Sequence, residues 1–384
     1  MAIYSAQFRF AVTLIRQLAP QTDRAIGHLL LTASPLISVI VPAYNEEENI
    51  EDCITSILDS TKLSALHLEL WVVDDQSTDH TWAILNALQQ KRQDPRLNLL
   101  MGLPRPDESV WIGKNWACTQ AAECSKGRFL LFIDADVRLK LGAIESVLQR
   151  AEAEQIDLLN CIPEVVCGSL LEWLVQPLLM TSLVITFAQP AVQDPHQAIA
   201  YAAGPFMLLR RSAYDRVGGH RAVSNQVAED VALARAMKRH HFKLQYYLGA
   251  ELARLRMYTA WAALWEGWTK VLYVGAWRNI GLMGLLIVTM LSLYTLPWVG
   301  CGLVLINGFR GGWSLLDGLS IGLGLLCLIL QYHLRAQLSR ALYCPPKYWW
   351  LQSLSGILIA VMVIVSVIKA ETGWGWTWRG RSLR

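Results

Sequence analysis

Two aspartates, Asp134 and Asp136, follow a run of apolar and aromatic residues in FLLFIDADVRLK, residues 129–140. One small residue separates them, so both carboxylates can face one ligand at the end of a strand. Carboxylate oxygens suit Mg²⁺ or Mn²⁺, which bind through few protein groups together with substrate phosphates. Such an ion would neutralise a diphosphate leaving group. The same pattern also occurs in turns and helix caps, so the pair alone leaves both interpretations open.

Two further acidic pairs are candidates for chemistry. Asp74 and Asp75 end the apolar segment LELWVVDD, where an aspartate can accept hydrogen bonds from a base or a ribose, or cap the next helix. Glu229 and Asp230 begin a predicted helix, where a carboxylate can act as general base for an attacking hydroxyl. The helix dipole alone also favours acidic residues at this position.

Lys114 lies in WIGKNWA at the predicted start of a helix, where the helix dipole disfavours a cation. This position suggests that the lysine serves an anion such as a diphosphate. The GK pair does not have the spacing of a P-loop, so the motif is weak by itself.

Short apolar strands alternate with helices around these residues. The predicted strands are LISVIV (36–41), LELWVVDD (68–75), LNLL (97–100), RFLLFID (128–134), IDLLNCI (156–162) and FKLQYYL (242–248). This alternation predicts a doubly wound α/β domain with a mostly parallel sheet. Ligands of such sheets bind beyond the carboxyl ends of the strands, and both aspartate pairs lie at that edge.

The C-terminal third of the 384-residue chain is strongly apolar. Three blocks, at about 280–306, 313–332 and 349–368, are each near the ~20 residues that cross a hydrocarbon core. Basic residues and tryptophans flank them, as is typical of membrane–water boundaries. We therefore predict three transmembrane helices, with buried helices of a soluble protein as the alternative. The net charge of +3 is too small to favour nucleic acid as a partner.

The predicted domain organisation has four parts. They are an amphipathic N-terminal membrane-surface segment (1–33), the α/β domain (34–250), an interfacial bridge (251–279), and the transmembrane helices with a basic tail (280–384). A helix over 6–19 carries two arginines on an apolar background and is expected to lie on the membrane. Within the α/β domain, 168–193 is an apolar insertion, for which we favour a pair of interfacial helices over a membrane span.

The number of crossings conflicts with the charge of the tail. Three crossings place TWRGR, residues 377–381, on the membrane side opposite the α/β domain. The positive-inside rule favours the same side for both. Either the first block, which contains Pro297, forms a re-entrant hairpin, or a fourth crossing exists.

Taken in order, six motifs resemble those of family 2 glycosyltransferases of the GT-A fold. They span residues 37–242 and are ISVIVPAYNEEENI, VVDDQSTDHT, IGKNWAC, FIDADV, AAGPFMLLRRSAYDRVGG and AEDVALARAMKRHHF. The GKNWA element and the C-terminal apolar blocks are similar to the ceramide-glucosyltransferase-like branch. That branch includes bacterial enzymes of hopanoid and carotenoid glycosylation.

The resemblance implies how the nucleotide would be bound. Pro42, Tyr44 and Glu46 would lie where the family's first loop meets the nucleotide. Asp74, or its neighbour Asp75, would bind a uracil-type base.

The resemblance also implies the catalytic roles. Asp134 and Asp136 would hold the metal, with Asp136 the more direct ligand. Asp230 would be the catalytic base that deprotonates the acceptor hydroxyl. The acceptor would attack the anomeric carbon in line, with inversion, and a nucleoside diphosphate would leave.

One departure concerns the Q/R-x-x-R-W signature of processive members and of ceramide glucosylation, which does not occur as such. The corresponding region, 254–270, is RLRMYTAWAALWEGWTK. The candidates for acceptor or diphosphate contacts are Arg256, Trp265, Trp268, Lys270 and Glu229, with an interfacial aromatic belt as the alternative for the tryptophans. The departure disfavours polymer synthesis and places ceramide as acceptor in doubt.

Together these observations predict a membrane-bound, metal-dependent inverting enzyme with its catalytic domain on the cytoplasmic side. It would move one sugar from a UDP- or GDP-sugar to the hydroxyl of a carotenoid, a hopanoid or a sphingolipid-like acceptor. Transfer to polyprenyl phosphate is an alternative, for which Asp230 would be dispensable. A non-catalytic nucleotide-sugar-binding protein is disfavoured by the intact carboxylates, and a transporter by too few apolar blocks.

Overall fold

The computed structural model of the protein divides into an α/β unit and a helical unit. The described residues are 16–20, 27, 35–107, 110–187, 194, 196–197 and 199–383. The α/β unit holds the described residues of 15–165 and 187–257, and the helical unit holds those of 166–186 and 258–384.

A mixed sheet forms the centre of the α/β unit. Its strands are β1 (Arg16–Gln17), β2 (Ile37–Ala43), β3 (Leu68–Asp74), β4 (Leu97–Met101), β5 (Phe129–Ile133), β6 (Val137–Leu139), β7 (Leu158–Val165), β8 (Phe206–Arg210) and β9 (Leu244–Leu255). Their order is β1-β9-β7-β8-β5-β2-β3-β4, with β6 against β9. Strands β2, β3, β4 and β5 pair in parallel, whereas β8 is antiparallel to β5 and β7. The predicted α/β fold with a mostly parallel sheet is confirmed.

Twelve α-helices are defined among the described residues. In chain order they are α1 (Ile50–Asp59), α2 (Thr81–Arg92), α3 (Gly113–Cys124), α4 (Ala143–Ala153), α5 (Leu170–Phe187), α6 (Arg211–Arg216), α7 (Glu229–Arg239), α8 (Trp261–Gly275), α9 (Ile280–Met290), α10 (Leu296–Gly311), α11 (Leu315–Leu342) and α12 (Gln352–Thr372). All five residues of β5 are buried, because a parallel sheet covered on both faces needs continuous apolar strands.

The helical unit contains three helices that are long and apolar enough to cross a membrane, at Ile280–Gly311, Leu315–Leu342 and Trp349–Thr372. They coincide with the three predicted apolar blocks and extend beyond them. A π-helical turn at Leu291–Thr295 joins α9 to α10, directly before Pro297. The three apolar blocks are therefore helical, as the sequence predicts.

Within this unit α8 packs against α12. The backbone N–H of Tyr273 donates to Ser366 Oγ (3.0 Å), and Lys369 Nζ donates to Thr269 Oγ1 (3.1 Å). Beyond α12, a short hairpin pairs Thr377–Trp378 (β10) with Arg381–Ser382 (β11). The basic tail packs against α8, because Thr377 Oγ1 donates to Glu266 Oε1 (2.7 Å).

Helices α10 and α11 form an antiparallel hairpin of their own. Trp298 Nε1 donates to Gln331 Oε1 (3.0 Å), and a Cβ on Gly324 would meet Cys301 Sγ at 2.1 Å. Gln331 Nε2 also donates to the carbonyl of Leu293 (2.8 Å), close to where α12 begins. The first apolar block lies within the continuous helix Ile280–Gly311, so it does not form a re-entrant hairpin by itself.

Two predicted segments differ from the structure. Arg16–Gln17 is a strand that pairs with Tyr247 and Leu248 of β9, so a helix does not continue through these residues. Residues 1–15 lie outside the described residues. In the part of the apolar insertion that the structure describes, 168–187, helix α5 runs through Pro177, and 170–186 belong to the helical unit rather than to the α/β unit. Residues 188–193 of that insertion also lie outside the described residues.

Candidate active site

The loops that follow β2 and β3 are bound to each other. The backbone N–H of Asn45 donates to Ser77 Oγ (2.9 Å), and Asn45 Oδ1 accepts from the backbone N–H of Thr78 (2.8 Å). Asn45 and Gln76 both have left-handed backbones, with φ of 54° and 59°. Such conformations are uncommon outside glycine and cluster at functional sites, where surrounding contacts hold them in place. These contacts give the two loops a defined shape.

The residues expected to meet a nucleotide lie on these loops. Asp74 is the last residue of β3, and its Oδ1 accepts from the backbone N–H of Ser77 (3.3 Å). Asp75 follows it with its N–H donating to the carbonyl of Ala43 (2.8 Å), and both aspartates are buried. Asp74 therefore forms an Asx-turn and also lies at the carboxyl edge of the sheet.

Three further residues expected near the nucleotide lie at the end of β2. Pro42, Tyr44 and Glu46 are half-buried there, and Glu46 Oε2 accepts from Asn49 Nδ2 (3.0 Å). Because β2 lies between β5 and β3, these residues fall between the two aspartate pairs in strand order.

Asp134 and Asp136 lie in a tight turn directly after β5. The N–H of Val137 donates to the carbonyl of Asp134 (3.0 Å), and Ala135 between the two aspartates is buried. The N–H of Asp134 donates to the carbonyl of Pro205 (3.3 Å), which ties this turn to the segment before β8.

Lys114 connects two of the acidic motifs. Its Nζ lies 2.7 Å from Asp134 Oδ1 and 2.7 Å from Glu229 Oε1. Burial lowers the pKa of Lys114, but the charges of Asp134 and Glu229 outweigh it and raise that pKa well above its usual value. Lys114 thus contacts two of the protein's own carboxylates, and its expected contact with a diphosphate stays a prediction.

A buried asparagine positions the start of α7. Asn115 follows Lys114 in α3, and its Nδ2 donates to the carbonyls of Val223 (2.8 Å), Ser224 (3.0 Å) and Gln226 (3.0 Å). These contacts fix the loop that leads to Glu229. Sequence analysis did not identify Asn115, although the motif GKNWA places this asparagine directly after the lysine.

Asp230 is held at the first turn of α7 by backbone donors. The N–H of Gly204 donates to its Oδ2 (2.7 Å), and the N–H of Val231 donates to its Oδ1 (2.7 Å). Burial, followed by the negative charge of Glu229, raises the pKa of Asp230 to about 7, against opposing effects from Lys114 and the two N–H donors. A carboxylate with this pKa is suited to accept a proton near neutral pH.

Gly204 and Asn160 belong to the site, although sequence analysis did not identify them. A Cβ at Gly204 would lie 3.1 Å from Lys114 Nζ and 3.4 Å from Asp230 Oδ2, so a side chain there would crowd both groups. Asn160, fully buried on β7, donates to the carbonyls of Ala203 (2.7 Å) and Phe206 (3.0 Å) and accepts from the N–H of Ala203 (3.0 Å). The glycine of AAGPF was the available clue.

The candidates for acceptor contacts fall in both units. Glu229 lies in the ion-paired group with Lys114, and Arg256 follows β9 in the α/β unit. Trp265, Trp268 and Lys270 lie on α8 of the helical unit, where Trp268 is buried.

The basic tail covers this part of α8. Lys270 Nζ lies 3.8 Å from the ring centroid of Trp378, which is a cation–π contact. Glu266 accepts from Thr377 Oγ1 (2.7 Å) and from the N–H of Arg379 (3.3 Å). Sequence analysis anticipated the basic tail but not its contact with Glu266.

The donor set at the end of β5 limits the kind of metal that fits. No group of three or more His, Cys, Asp or Glu side chains could hold a metal in the part of the chain that the structure describes. Asp134 and Asp136 supply two carboxylates, and Mg²⁺ and Mn²⁺ are commonly bound by one or two carboxylates with substrate phosphates and water. The residues present therefore fit a divalent ion that binds with a diphosphate, and not a metal enclosed by protein ligands alone.

Comparison with known proteins supports the resemblance stated above. Residues 38–218 match the family model described as Glycosyl transferase family 2. The 4,4'-diaponeurosporenoate glycosyltransferase of Staphylococcus haemolyticus (strain JCSC1435) is 29% identical over 244 residues, which are 62% of each chain. The enzyme of the same name from Staphylococcus aureus (strain USA300) is 26% identical over 243 residues, 62% of this chain and 61% of that one. The match spans less than two thirds of these relatives.

A solved structure shares the fold. A mannosyltransferase from Pyrobaculum calidifontis in complex with GDP-Man and Mn²⁺ aligns with a TM-score of 0.53 and 16% sequence identity. The alignment covers 96% of this chain and 93% of that one. At this identity the likeness establishes the GT-A type of fold alone.

Proposed function

This chain belongs to glycosyltransferase family 2, and we propose that it transfers one sugar from a nucleotide-sugar donor to a lipid acceptor. One observation carries the proposal. A carboxylate with a pKa of about 7, Asp230, lies in the same cluster as Lys114 and Asp134 at the carboxyl edge of the sheet. This is the edge at which α/β folds bind their ligands.

Asp230 acts as the general base. Its two oxygens accept from Gly204 and Val231, so the carboxylate is oriented before an acceptor arrives. It takes the proton of the acceptor hydroxyl as that oxygen forms its bond to the anomeric carbon, and the nucleoside diphosphate leaves from the opposite face. The configuration of the sugar is inverted by this single displacement.

The nucleotide is bound by the loops after β2 and β3. Asp74 or Asp75 binds the base, while Pro42, Tyr44 and Glu46 line its approach. The hydrogen bonds between the two loops support this role, because they hold the loops in one shape without the nucleotide. Because such loops are already ordered, less conformational entropy is lost when the nucleotide binds.

Asp134 and Asp136 would hold Mg²⁺ or Mn²⁺, and Asp136 is the more direct ligand. When bound, the ion supplies positive charge to the departing diphosphate. Lys114 orients Asp134 through their 2.7 Å contact. The Mn²⁺ named with the P. calidifontis enzyme supports a divalent ion in this fold.

The lipid acceptor is proposed from the helical unit and from the relatives. The three helices long enough to span a membrane expose large apolar side chains, which favours an enzyme embedded in lipid. We place the glycosyltransferase domain at 34–250 on the cytoplasmic side, where nucleotide sugars are found. The basic tail beside α8, the helix that follows this domain in the chain, supports that side.

A second candidate changes the acceptor group from a hydroxyl to a carboxylate. The curated relatives are named for 4,4'-diaponeurosporenoate, a carotenoid carboxylate. An ionised acceptor, whether a carboxylate or a polyprenyl phosphate, has no proton to give up at neutral pH. Asp230→Asn therefore distinguishes the two candidates, because it abolishes transfer to a hydroxyl and spares transfer to an ionised group.

The proposal is tested with detergent-purified protein and Mn²⁺. The protein is incubated with a panel of UDP- and GDP-sugars and a total lipid extract, while nucleoside diphosphate release and lipid masses are followed. A lipid that gains the mass of one sugar supports the proposal and identifies both substrates. Donor binding without release from any donor would favour a non-catalytic nucleotide-sugar-binding protein, and lipids that gain many sugars would contradict single transfer.

A further inference from the structure

Lys114 occupies a position that its charge alone does not explain. It lies in the first turn of α3, where the helix dipole disfavours a cation, yet its Nζ contacts Asp134 and Glu229 at 2.7 Å each. Asp134 belongs to the turn after β5, and Glu229 to the first turn of α7. One ammonium group therefore joins two acidic motifs that are 95 residues apart in the chain.

The surroundings make this cross-link rigid. Asn115, the next residue of α3, binds three carbonyls of the loop that leads to α7. Gly204 leaves room on the other side, where an added Cβ would lie 3.1 Å from Lys114 Nζ, 3.4 Å from Asp230 Oδ2 and 3.5 Å from Glu229 Oε1. Lys114, Glu229 and Asp230 thus converge on one glycine.

We propose that Lys114 is a positioning residue that binds Asp134 to Glu229 and, with Glu229, sets the proton affinity of Asp230. The proposal rests on the proposed function, in which Asp230 is the base. Glu229 and Lys114 act on Asp230 with opposite signs, since an anion beside a carboxylate stabilises its protonated form and a cation its ionised form. Burial is the main cause of the raised pKa of Asp230, and the two charges of the pair adjust that pKa in opposite directions.

Three other ionisable groups face this cluster. Cys118 lies one turn beyond Lys114 on α3, and burial raises the pKa of its thiol. Tyr246 of β9 is near Asp230 and has a raised pKa because it is buried. Burial, with a smaller effect of Lys114, lowers the pKa of His220 to about 3. All three are therefore neutral near pH 7, which leaves Lys114 and Glu229 as the charged groups that act on Asp230.

The test compares the pH at which Asp230 titrates in matched variants. Lys114→Met removes the cation and should raise the midpoint of the acid limb of kcat/KM by about one unit. Glu229→Gln removes the anion and should lower it by a similar amount. Lys114→Arg keeps the charge and should leave this midpoint unchanged. In the double variant Lys114→Met/Glu229→Gln the two effects should cancel, so the midpoint should lie close to that of the wild type.

A second readout does not depend on activity. Infrared difference spectroscopy of the full chain during a pH titration follows a protonated carboxyl band, which Asp230→Asn assigns by removing it. The pH at which this band disappears should rise in Lys114→Met and fall in Glu229→Gln. If the wild type transfers no sugar while the band moves as expected, the proposed function fails and the role of Lys114 in setting this proton affinity stands.

Two outcomes would overturn the inference. Equal midpoints in Lys114→Met, Glu229→Gln and wild type, with activity merely reduced, would mean that the ion pairs only stabilise the fold. The second outcome combines two results for Lys114→Met. The midpoint of the acid limb of kcat/KM would stay unchanged, and calorimetry with Mn²⁺ would show a loss of UDP affinity above about 100-fold. Lys114 would then bind the diphosphate. Calorimetry on Lys114→Arg provides the matched control for charge.

Discussion

The α/β unit and the helical unit distribute polar and apolar side chains in opposite ways. The α/β unit covers its apolar strands with helices and gathers acidic residues at the carboxyl edge of the sheet. The helical unit exposes large apolar side chains along α9 to α12, among them Phe309, Leu315 and Leu323. Contiguous exposed apolar surface of this kind indicates a membrane or a partner rather than water. The contrast indicates that the two units are built for different solvents.

The charged groups that each unit buries also differ in what they contact. In the helical unit, Glu172 accepts from the N–H groups of Gly168 and Ser169, and Arg335 donates to the carbonyl of Pro345. These contacts satisfy helix ends and a connecting loop. In the α/β unit, buried Glu229 and half-buried Asp134 instead contact one lysine, and the pKa of the neighbouring Asp230 lies near 7. Perturbed pKa values cluster at functional sites, so the chemistry is assigned to the α/β unit.

The largest expected effect separates Asp230 from an ordinary acidic residue of the same unit. Asp230→Asn should lower kcat for transfer to a hydroxyl by about 10²–10⁴-fold, because no base then takes the proton. Donor affinity, measured by calorimetry, should change little. The control is Asp215→Asn, which alters an exposed carboxylate and should keep full activity. Equal activity of both variants would remove Asp230 from the mechanism.

A matched pair of leucines tests the contrast in solvent. Leu323 on α11 and Leu66 in the α/β unit are 65% and 69% exposed. Leu323→Arg should disfavour membrane insertion by about 2.5–3.5 kcal/mol, whereas Leu66→Arg should change stability by less than about 0.5 kcal/mol. The fraction of chain retained in membranes after an alkaline wash measures the first, and thermal unfolding measures both. Similar small effects at the two positions would argue against a membrane environment for α11.

The pH dependence of the reaction follows from the pKa of about 7 at Asp230. The base works only when ionised, so kcat/KM should rise with pH through this value and level off above it. Between pH 6 and pH 8 the rise should be about tenfold. A rate that is independent of pH across this range, with a hydroxyl acceptor, would exclude Asp230 as the base.

The smallest expected effect concerns the tail of the helical unit. Thr377→Val removes the hydrogen bond to Glu266 Oε1 and should cost about 0.5–1.5 kcal/mol of stability. Thermal unfolding in detergent provides the measurement, and Thr259→Val, at an exposed position of the same unit, serves as control. Activity should remain, because this contact supports the helical unit alone. A loss of activity without loss of stability would instead give the tail a part in the reaction.

Local sequence patterns were sufficient for the elements and for the ends of the strands. The apolar run before Asp134 and the one before Asp74 each predict a strand that ends in carboxylates, because burial on both faces requires continuous apolar residues. The three apolar blocks predict long helices for a similar reason. Both features depend on residues that are close together in the sequence, so they could be predicted from the sequence alone.

Contacts between distant segments were not predictable in this way. The partners of Lys114 depend on how α3, β5 and α7 converge, and no local pattern specifies them. The same holds for Asn160, which binds a segment more than 40 residues away, and for the tail that returns to Glu266. Arg16–Gln17 became a strand because β9 offers an edge, which overrides the local pattern of an apolar helix.

We propose above that the site at the carboxyl edge of the sheet in the α/β unit transfers one sugar to a lipid. The most direct test supplies purified wild type and Asp136→Ala with labelled donor, Mn²⁺ and lipid extract, and measures label in the lipid fraction by mass spectrometry. We predict one sugar per lipid in the wild type and a loss on the order of 10²-fold in Asp136→Ala. Equal labelling of lipid by both proteins, or no labelled lipid from any donor, would contradict the account.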